Sequence, residues 1–316
     1  MSRPLALVSV ECDLCRRQTD TELVARGRDF DYGTAAGEFT FVRCLACGLV
    51  FLDPRPAESE LDRIYPASYE PFHFHESGNP FIRYGRGAVQ RLKAKLIRGL
   101  VPEDATIVDV GCGSGHLLEL LRKHGPPAWR LYGNDFSEVA LENLRRAGIG
   151  ALAGRFEEIE TEVRFDLVIL NQTIEHLVSP AQVVEKAFEL LAPGGRLLIE
   201  TPSLDGIDAK LFRRGYWGGY HFPRHWTLFT AATLARLVGR AGFEVERVDY
   251  LASPAFWCQS FQHVVGEHRL TRPLVGVFSI RNPVALAAFT ALDLVLARFR
   301  PTSNLRLVAR KPRVAV

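Results

Sequence analysis

The cysteines of this 316-residue chain fall in a pattern that could hold a metal. Cys12-x-x-Cys15 and Cys44-x-x-Cys47-Gly48 are two evenly built pairs with 28 residues between Cys15 and Cys44. Pairs at this spacing form two knuckles that close one tetrahedral Zn²⁺ site. Thiols buried merely as small apolar groups would not come in matched pairs. Four sulfurs leave no open coordination position, so the metal is expected to fold a small module and not to catalyse. Cys112 and Cys258 have no partner at ligand spacing and are expected to be packing residues.

A second group of residues suits proton transfer. The run Trp217-Gly218-Gly219-Tyr220-His221-Phe222-Pro223-Arg224-His225-Trp226 packs two histidines, a tyrosine and an arginine together. Imidazole titrates near neutrality, so His221 and His225 are candidates for taking a proton from an acceptor, with Tyr220 beside them. The plain alternatives are a helix-entry role for His225, hydrogen-bonded to the backbone, and a surface charge for Arg224. A further histidine, His176, follows Glu175 in Asn171-Gln172-Thr173-Ile174-Glu175-His176.

The third feature is Val108-Asp109-Val110-Gly111-Cys112-Gly113-Ser114-Gly115-His116, where an apolar β-branched strand hands over to a helix marked by Leu117, Leu118, Leu120 and Leu121. The glycines turn the chain sharply and let a ligand lie against the backbone N–H groups of the helix start. A dinucleotide fingerprint would need glycine where His116 stands, so the run is G-x-G-x-G preceded by an acid. Asp135 ends a second strand about 20 residues on, the separation of a carboxylate that grips ribose hydroxyls; its plain alternative is a helix cap, which Ser137 could supply as well.

These runs, in this order, resemble the class I S-adenosylmethionine (SAM)-dependent methyltransferases from about Arg83 to about Tyr250. Phe165–Asn171 followed by Glu175-His176 is similar to the family's fourth motif in its small-molecule branch, and Leu191-Ala192-Pro193-Gly194-Gly195 to the stretch before its fifth strand. The resemblance implies SAM bound by Asp109, Gly111, Gly113, Gly115, Asp135 and Asn171. Where the family often has an acid near the adenine, this chain has Gly154-Arg155-Phe156-Glu157-Glu158, which would put Phe156 on the ring and Glu157 at its amino group. The His-x-x-x-Phe-Thr spacing resembles zinc-bearing sugar C-methyltransferases, which implies His225 as general base with His176 beside it; those enzymes have Glu-His where this chain has Arg224-His225.

The implied fold is α/β, a Rossmann-like doubly wound seven-stranded sheet. The expected organisation is a zinc-ribbon-like module and connector over 1–75, the SAM domain over 76–253, a helical insertion over 254–302 and a last strand with tail over 303–316. The connector carries Tyr69, His73 and His75, which could reach an acceptor. Within the insertion, Val284 to Phe299 sets Thr290, Asp293 and Arg300 on one narrow stripe, so most of its circumference is apolar. It is too short to span a bilayer. Burial against the domain or in a homo-oligomer is the preferred expectation, and a peripheral membrane contact or a pocket for a lipid-like substrate the alternative.

Composition fits a globular enzyme, with 47% hydrophobic residues. The formal net charge of +3 falls by about two if four thiolates hold one Zn²⁺, which gives no reason to expect a nucleic-acid partner. Arg83, Arg86, Arg91, Lys93, Lys95 and Arg98 are read as the solvated face of a helix. The absence of a signal peptide before Cys12 points to a cytoplasmic protein with reduced thiols. The expected activity is methyl transfer to a small-molecule acceptor such as a sugar, nucleotide sugar, polysaccharide precursor or secondary metabolite. The alternatives are an rRNA or tRNA methyltransferase whose zinc module holds RNA, and a non-enzymatic zinc-ribbon binding protein on an inactive SAM fold.

Overall fold

Apolar runs become the inner strands of a sheet covered on both faces. A computed structural model describes residues 4–65 and 91–313; Tyr69, His73, His75, Arg83 and Arg86 lie outside the described residues. In chain order the strands are β1 (Leu7–Val8), β2 (Thr21–Gly27), β3 (Phe39–Cys44), β4 (Val50–Leu52), β5 (Arg55–Pro56), β6 (Thr106–Val110), β7 (Arg130–Asp135), β8 (Gly150–Ala153), β9 (Phe165–Asn171), β10 (Leu191–Pro202), β11 (Thr227–Leu228), β12 (Glu244–Leu251) and β13 (Asn304–Arg310).

Seven of them form the main sheet in the order β12-β13-β10-β9-β6-β7-β8. The pairs from β10 through β8 are parallel, while β13 runs antiparallel between β10 and β12. Every residue of β6 is buried, as a strand with helices on both faces requires. From β6 the chain builds outward through β7 and β8, then crosses back to β9 and β10, so strand order reverses at β6. Ligands of open α/β sheets sit beyond the carboxyl ends of the strands at that reversal, and the turn 111–115 is there.

The stretch Leu191–Gly195 belongs to β10 instead of forming a separate turn. Leu191 pairs with Phe165, and the register shifts before Arg196. Gly194 at φ +83° makes that irregularity possible, and its N–H bonds Lys311 O at 3.0 Å.

The cysteine-bearing segment is joined to this body at two places. Its four-stranded sheet runs β11-β4-β3-β2, and β11 comes from the far side of the chain, with Thr227 opposite Phe51. Cys12, Leu14, Cys44, Leu49 and Phe51 also share one apolar core with Val108, Leu170, Phe229 and Leu234. In the 91–98 helix, Ala94 and Ile97 face the core while Leu92 is 67% exposed. Lys93 is therefore not on a solvated face: its Nζ donates to Asn171 Oδ1 at 2.5 Å and Glu200 Oε2 at 2.6 Å.

Residues 254–302 hold two helices, Pro254–Glu267 and Pro283–Leu296. The second is turned opposite to expectation. Asp293 is buried and accepts hydrogen bonds from Ser253 N at 2.6 Å and Trp257 Nε1 at 2.8 Å. Asp293 thus faces the protein, because a buried indole N–H and a helix-start N–H need an acceptor there, while Val284, Ala288, Ala291 and Val295 face out and Arg300, past the helix end, is exposed.

Candidate functional site

The glycine turn needs glycine for two different reasons. Gly111, Gly113 and Gly115 have φ of +66°, +51° and +77°, where a Cβ is strained. A Cβ on Gly111 would also lie 2.5 Å from Thr173 Cγ2, and one on Gly115 2.8 Å from Leu144 Cδ2, whereas one on Gly113 would meet nothing within 4 Å among the described residues. Two of the glycines let the turn pack down onto Thr173, just past β9, and onto Leu144 of the helix Glu138–Arg146. The middle one faces open space, where a ligand can lie on the backbone. Asp135 secures the turn by accepting from Gly113 N at 2.9 Å and from Ser137 N at 2.8 Å. Ser137 itself caps the helix Glu138–Arg146.

Asp109, beneath the turn, is pushed up to about 7 by burial, with nearby Lys93 opposing the shift. Glu200 is held below the usual carboxylate range: burial alone would raise it, but Lys93 and Arg306 outweigh that. Lys93 thus ties Asn171 and Glu200 together at the strand ends. Phe156 is buried in the main core, and Glu157 is held by Arg155 at 2.7 Å. Cys112 and Cys258 are both buried.

The turn after β9 connects this cradle to the histidines. Thr173 packs on Gly111, and three residues later His176 N bonds Thr173 O at 2.9 Å. The ring of His176 lies 4.6 Å from that of His225 and 6.5 Å from that of His221, and His221 and His225 are 5.0 Å apart, centroid to centroid. His225 Nδ1 sits 2.8 Å from Gly219 O. A carbonyl only accepts, so Nδ1 carries the hydrogen and Nε2 keeps its lone pair. His176 Nδ1 likewise faces Arg224 O at 3.1 Å and Tyr65 Oη at 3.0 Å. Burial drives His176 down to about 3, helped by His221, and takes His225 well below the ordinary imidazole value, helped by His176 and His221. Both rings are neutral in the resting protein.

His221 is held differently. Its Nδ1 bonds Asp31 Oδ2 at 2.8 Å, and the other oxygen of Asp31 takes His263 Nε2 at 3.0 Å. Burial alone would raise the Asp31 carboxyl, but its bonds to His221 and His263 hold it far below the usual range. Asp31 therefore fixes the His221 ring and sets a negative charge beside it. His221 also adopts left-handed backbone angles, φ 41° and ψ 48°, which a non-glycine residue keeps only where its surroundings dictate.

Arg224 is neither a surface charge nor at the histidine faces. It is wholly buried, bidentate to Asp29 at 3.0 and 3.1 Å, with Nε donating to Ile64 O at 2.7 Å. Asp29 and Asp31 together pin the histidine loop. Tyr220 points the other way: it stacks on Phe41 at 5.4 Å and donates to Arg213 O at 3.0 Å, so it stands apart from the three imidazoles.

Glu175 is fully buried, with Oε2 accepting from Thr201 Oγ1 at 2.9 Å and Oε1 without a hydrogen-bond partner among the described residues. Glu175, His176 and His225 offer ligand atoms within 4.8 Å of one another, close enough to share a proton or a small cation. Burial pushes the Glu175 carboxyl up to about 8. The unfolded chain loses this proton near the ordinary glutamate value of 4.5 while the folded one keeps it to about 8, so stability falls as pH rises through that window. Glu175→Gln should therefore gain on wild type between pH 4.5 and pH 8, by on the order of 4 kcal/mol. Urea unfolding at the two ends measures the gap, and a pH-independent difference would contradict the buried-acid assignment.

At the other end, the sulfurs of Cys12, Cys15, Cys44 and Cys47 lie within 4.8 Å of one another, with Cys12–Cys47 at 3.5 Å and Cys15–Cys44 at 3.7 Å. A tetrahedron with Zn–S bonds of about 2.3 Å has edges of about 3.8 Å, so the donor set fits that ion. Arg16 N to Cys12 O at 2.7 Å and Gly48 N to Cys44 O at 2.8 Å close the two knuckles. The first knuckle also reaches into the main body. Asp13 accepts from Ala181 N at 2.7 Å and Ser179 Oγ at 2.6 Å, at the start of the helix Pro180–Leu190.

Asp31, His263, Tyr65 and Lys93 were not legible as site residues. They come from 31, 65, 93 and 263, and nothing in their local spacing joins them to a loop at 221–225.

An α/β sheet with a glycine turn at its point of reversal, followed by an acid at the next strand end, defines a nucleotide-type site on a doubly wound fold. The chain belongs to the methyltransferase domain family, which matches residues 81–248, and its mostly parallel sheet is the class I methyltransferase fold. It is 31% identical over 147 residues to a probable S-adenosylmethionine-dependent methyltransferase of Mycolicibacterium smegmatis, covering 44% of this chain and 52% of the relative. It is 34% identical over 126 residues to a trans-aconitate 2-methyltransferase of Variovorax paradoxus, covering 38% and 47%. The chain spans about half the length of the curated relatives it matches. Among solved structures, the chain resembles the N-methyltransferase NodS from Bradyrhizobium japonicum in complex with S-adenosyl-L-homocysteine, at 17% identity and a TM-score of 0.46 over 80% of this chain and all of that one. No helix among the described residues is long and apolar enough to cross a membrane.

Proposed function

We propose that this chain moves a methyl group from SAM to a small polar acceptor of the sugar, nucleotide-sugar or secondary-metabolite class, with His225 as the general base. The observation that carries the reading is the cluster of His176, His221 and His225 joined through Thr173 to the open glycine turn. Bound SAM supplies an activated methyl on a sulfonium, so the new bond forms to the methyl carbon as the sulfur–carbon bond breaks and S-adenosylhomocysteine leaves. The protein's share is alignment and the proton. His225 presents Nε2 to the acceptor and takes its proton, His176 orients beside it, and His221 on Asp31 steadies the positive charge. Four thiolates from Cys12, Cys15, Cys44 and Cys47 hold one structural Zn²⁺.

For SAM itself, Gly113 offers the open backbone and Asp135 the ribose acceptor, since its carboxylate has lone pairs beyond those used by Gly113 N and Ser137 N. Asp109 and Asn171 flank the turn. Phe156 and Glu157 would meet the adenine only through the edge of the core they now fill. Asp135→Ala should weaken SAM binding by about 1.5–3 kcal/mol. Calorimetry on ligand-free protein of unchanged melting temperature reads this, and unaltered affinity would remove Asp135 from the site. The acceptor is identified by incubating a lysate with the protein and isotopically labelled SAM, then locating the label by mass spectrometry. Label found only in RNA would replace the small-molecule reading, and failure to bind SAM would remove it.

A further inference from the structure

The helix Pro283–Leu296 and the turns around it are amphipathic in reverse. Val284, Leu294, Val295 and Phe299 are 74%, 60%, 55% and 77% exposed, while Asp293 is 1% exposed. Val284, Ala288, Ala291, Val295 and Phe299 follow one another at three- or four-residue steps, so they form a single outward face. The connection between the two helices adds Leu270 at 94% exposure. Isolated apolar side chains on a surface are ordinary, but a continuous apolar helix face marks an interaction site.

The charge around it says what covers it. From 268 to 300 the sequence has five arginines and one acid, and that acid, Asp293, is turned inward. Arg298 and Arg300, just past the helix end, are exposed, and neither is paired with a carboxylate among the described residues. Arg298 lies in the turn just past the helix, where its N–H bonds Val295 O at 3.2 Å, so it sits at the C-terminal end of the apolar face. An apolar face bordered by unpaired arginines is complementary to a surface that is anionic above and hydrocarbon below. A second copy fits poorly, because a twofold contact would set these arginines against their equivalents with no acid of the same stretch to meet them. At 14 residues the helix is about 21 Å long, against a hydrocarbon core of about 30 Å, so it can lie in the interface and not span it.

We propose that this face docks on an anionic phospholipid bilayer, with the helix Pro283–Leu296 lying in the headgroup plane and the arginines on lipid phosphates. The docked element touches the histidine loop through one intervening helix: Trp257 stacks on Phe289 at 5.8 Å, and Ser260 Oγ accepts from Gly218 N at 2.9 Å. A bound membrane would thus lie one helix away from the loop that carries His221 and His225. The proposal does not depend on the acceptor or on the base.

The test is co-sedimentation of the whole protein with phosphatidylcholine vesicles, with and without phosphatidylglycerol. Wild type should partition onto the anionic vesicles and release as salt is raised. Arg298→Gln with Arg300→Gln should lower that partition more than tenfold, at about fivefold for each arginine removed. Leu294→Glu with Val295→Glu should abolish it. Both pairs are exposed, so melting temperature and SAM affinity should stay at wild-type values. No partition of wild type onto anionic vesicles, or equal partition of all three proteins, would overturn the proposal. Sedimentation showing a dimer that Leu294→Glu with Val295→Glu dissolves, without vesicle binding, would assign the face to a second copy instead.

Discussion

His225→Gln is expected to bind SAM normally, melt at the wild-type temperature and transfer label from SAM to its acceptor about 10²–10⁴ times more slowly, the usual effect of losing a general base. The size follows from what the residue does and does not hold. Its only side-chain hydrogen bond among the described residues is from Nδ1 to Gly219 O at 2.8 Å, and a glutamine amide can replace that donor while offering no basic nitrogen. The large structural contacts of the loop belong to Arg224, bidentate to Asp29, so the loop should keep its shape. His176→Gln should be milder, because its Nδ1 is spent on Arg224 O and Tyr65 Oη. Asp31→Asn separates charge from packing: it can keep a hydrogen-bond partner for His221 but loses the negative charge, so slower turnover at an unchanged melting temperature would show that the charge itself contributes. Wild-type turnover by His225→Gln would disprove the assignment and leave His221, which has its own carboxylate, as the base. Tyr220 would not follow, since its hydroxyl is committed to Arg213 O inside the core.

The sequence revealed the parts of this protein whose constraints are local. A strand that is apolar on both faces, as in Thr106–Val110 and Phe165–Asn171, can only be an inner strand of a covered sheet, and both were readable to the residue. The glycine turn was readable because left-handed backbone at three alternate positions leaves few other residues possible. The cysteines were readable because two matched C-x-x-C pairs are the pattern that brings four thiols together, as Cys12, Cys15, Cys44 and Cys47 are here. What stayed hidden depends on contacts between distant segments. Thr227–Leu228 looked like the entry to a helix, yet its backbone completes the sheet of Val50–Leu52. Asp31 looked like an ordinary acid in a Gly- and Asp-rich stretch, yet its carboxylate meets histidines 190 and 232 positions away. The helix Pro283–Leu296 showed its polar stripe plainly, but a stripe alone does not say which side faces water; that was decided by the indole of Trp257 and the N–H of Ser253, which need Asp293 inside.

The second large effect concerns the thiols. The purified protein should carry about one Zn²⁺ per chain, and Cys44→Ser should lose it and with it more than about 3 kcal/mol of stability, because metal binding free energy here is folding free energy. Cys44 is the most heavily used of the four: Thr19 Oγ1 donates to its sulfur at 3.1 Å, its N–H bonds Leu49 O at 2.9 Å, and it lies at the end of β3 opposite Thr21. An independent zinc module would confine the damage to its own residues. The structure gives a different expectation, because Asp13 in the first knuckle holds Ala181 N and β4 holds β11 just beyond His225. Removing the ion should therefore speed hydrogen exchange at 180–190 and 227–228 as well as in β2 to β4, and lower turnover. SAM affinity should change little, since the glycine turn packs on Thr173 and Leu144 and touches no knuckle residue in those contacts. Elemental analysis with exchange mass spectrometry on wild type and Cys44→Ser decides the matter. Metal-free protein with a wild-type melting temperature would show that the four thiols are only packing, and exchange confined to residues before 65 would show that the module is a separate unit after all.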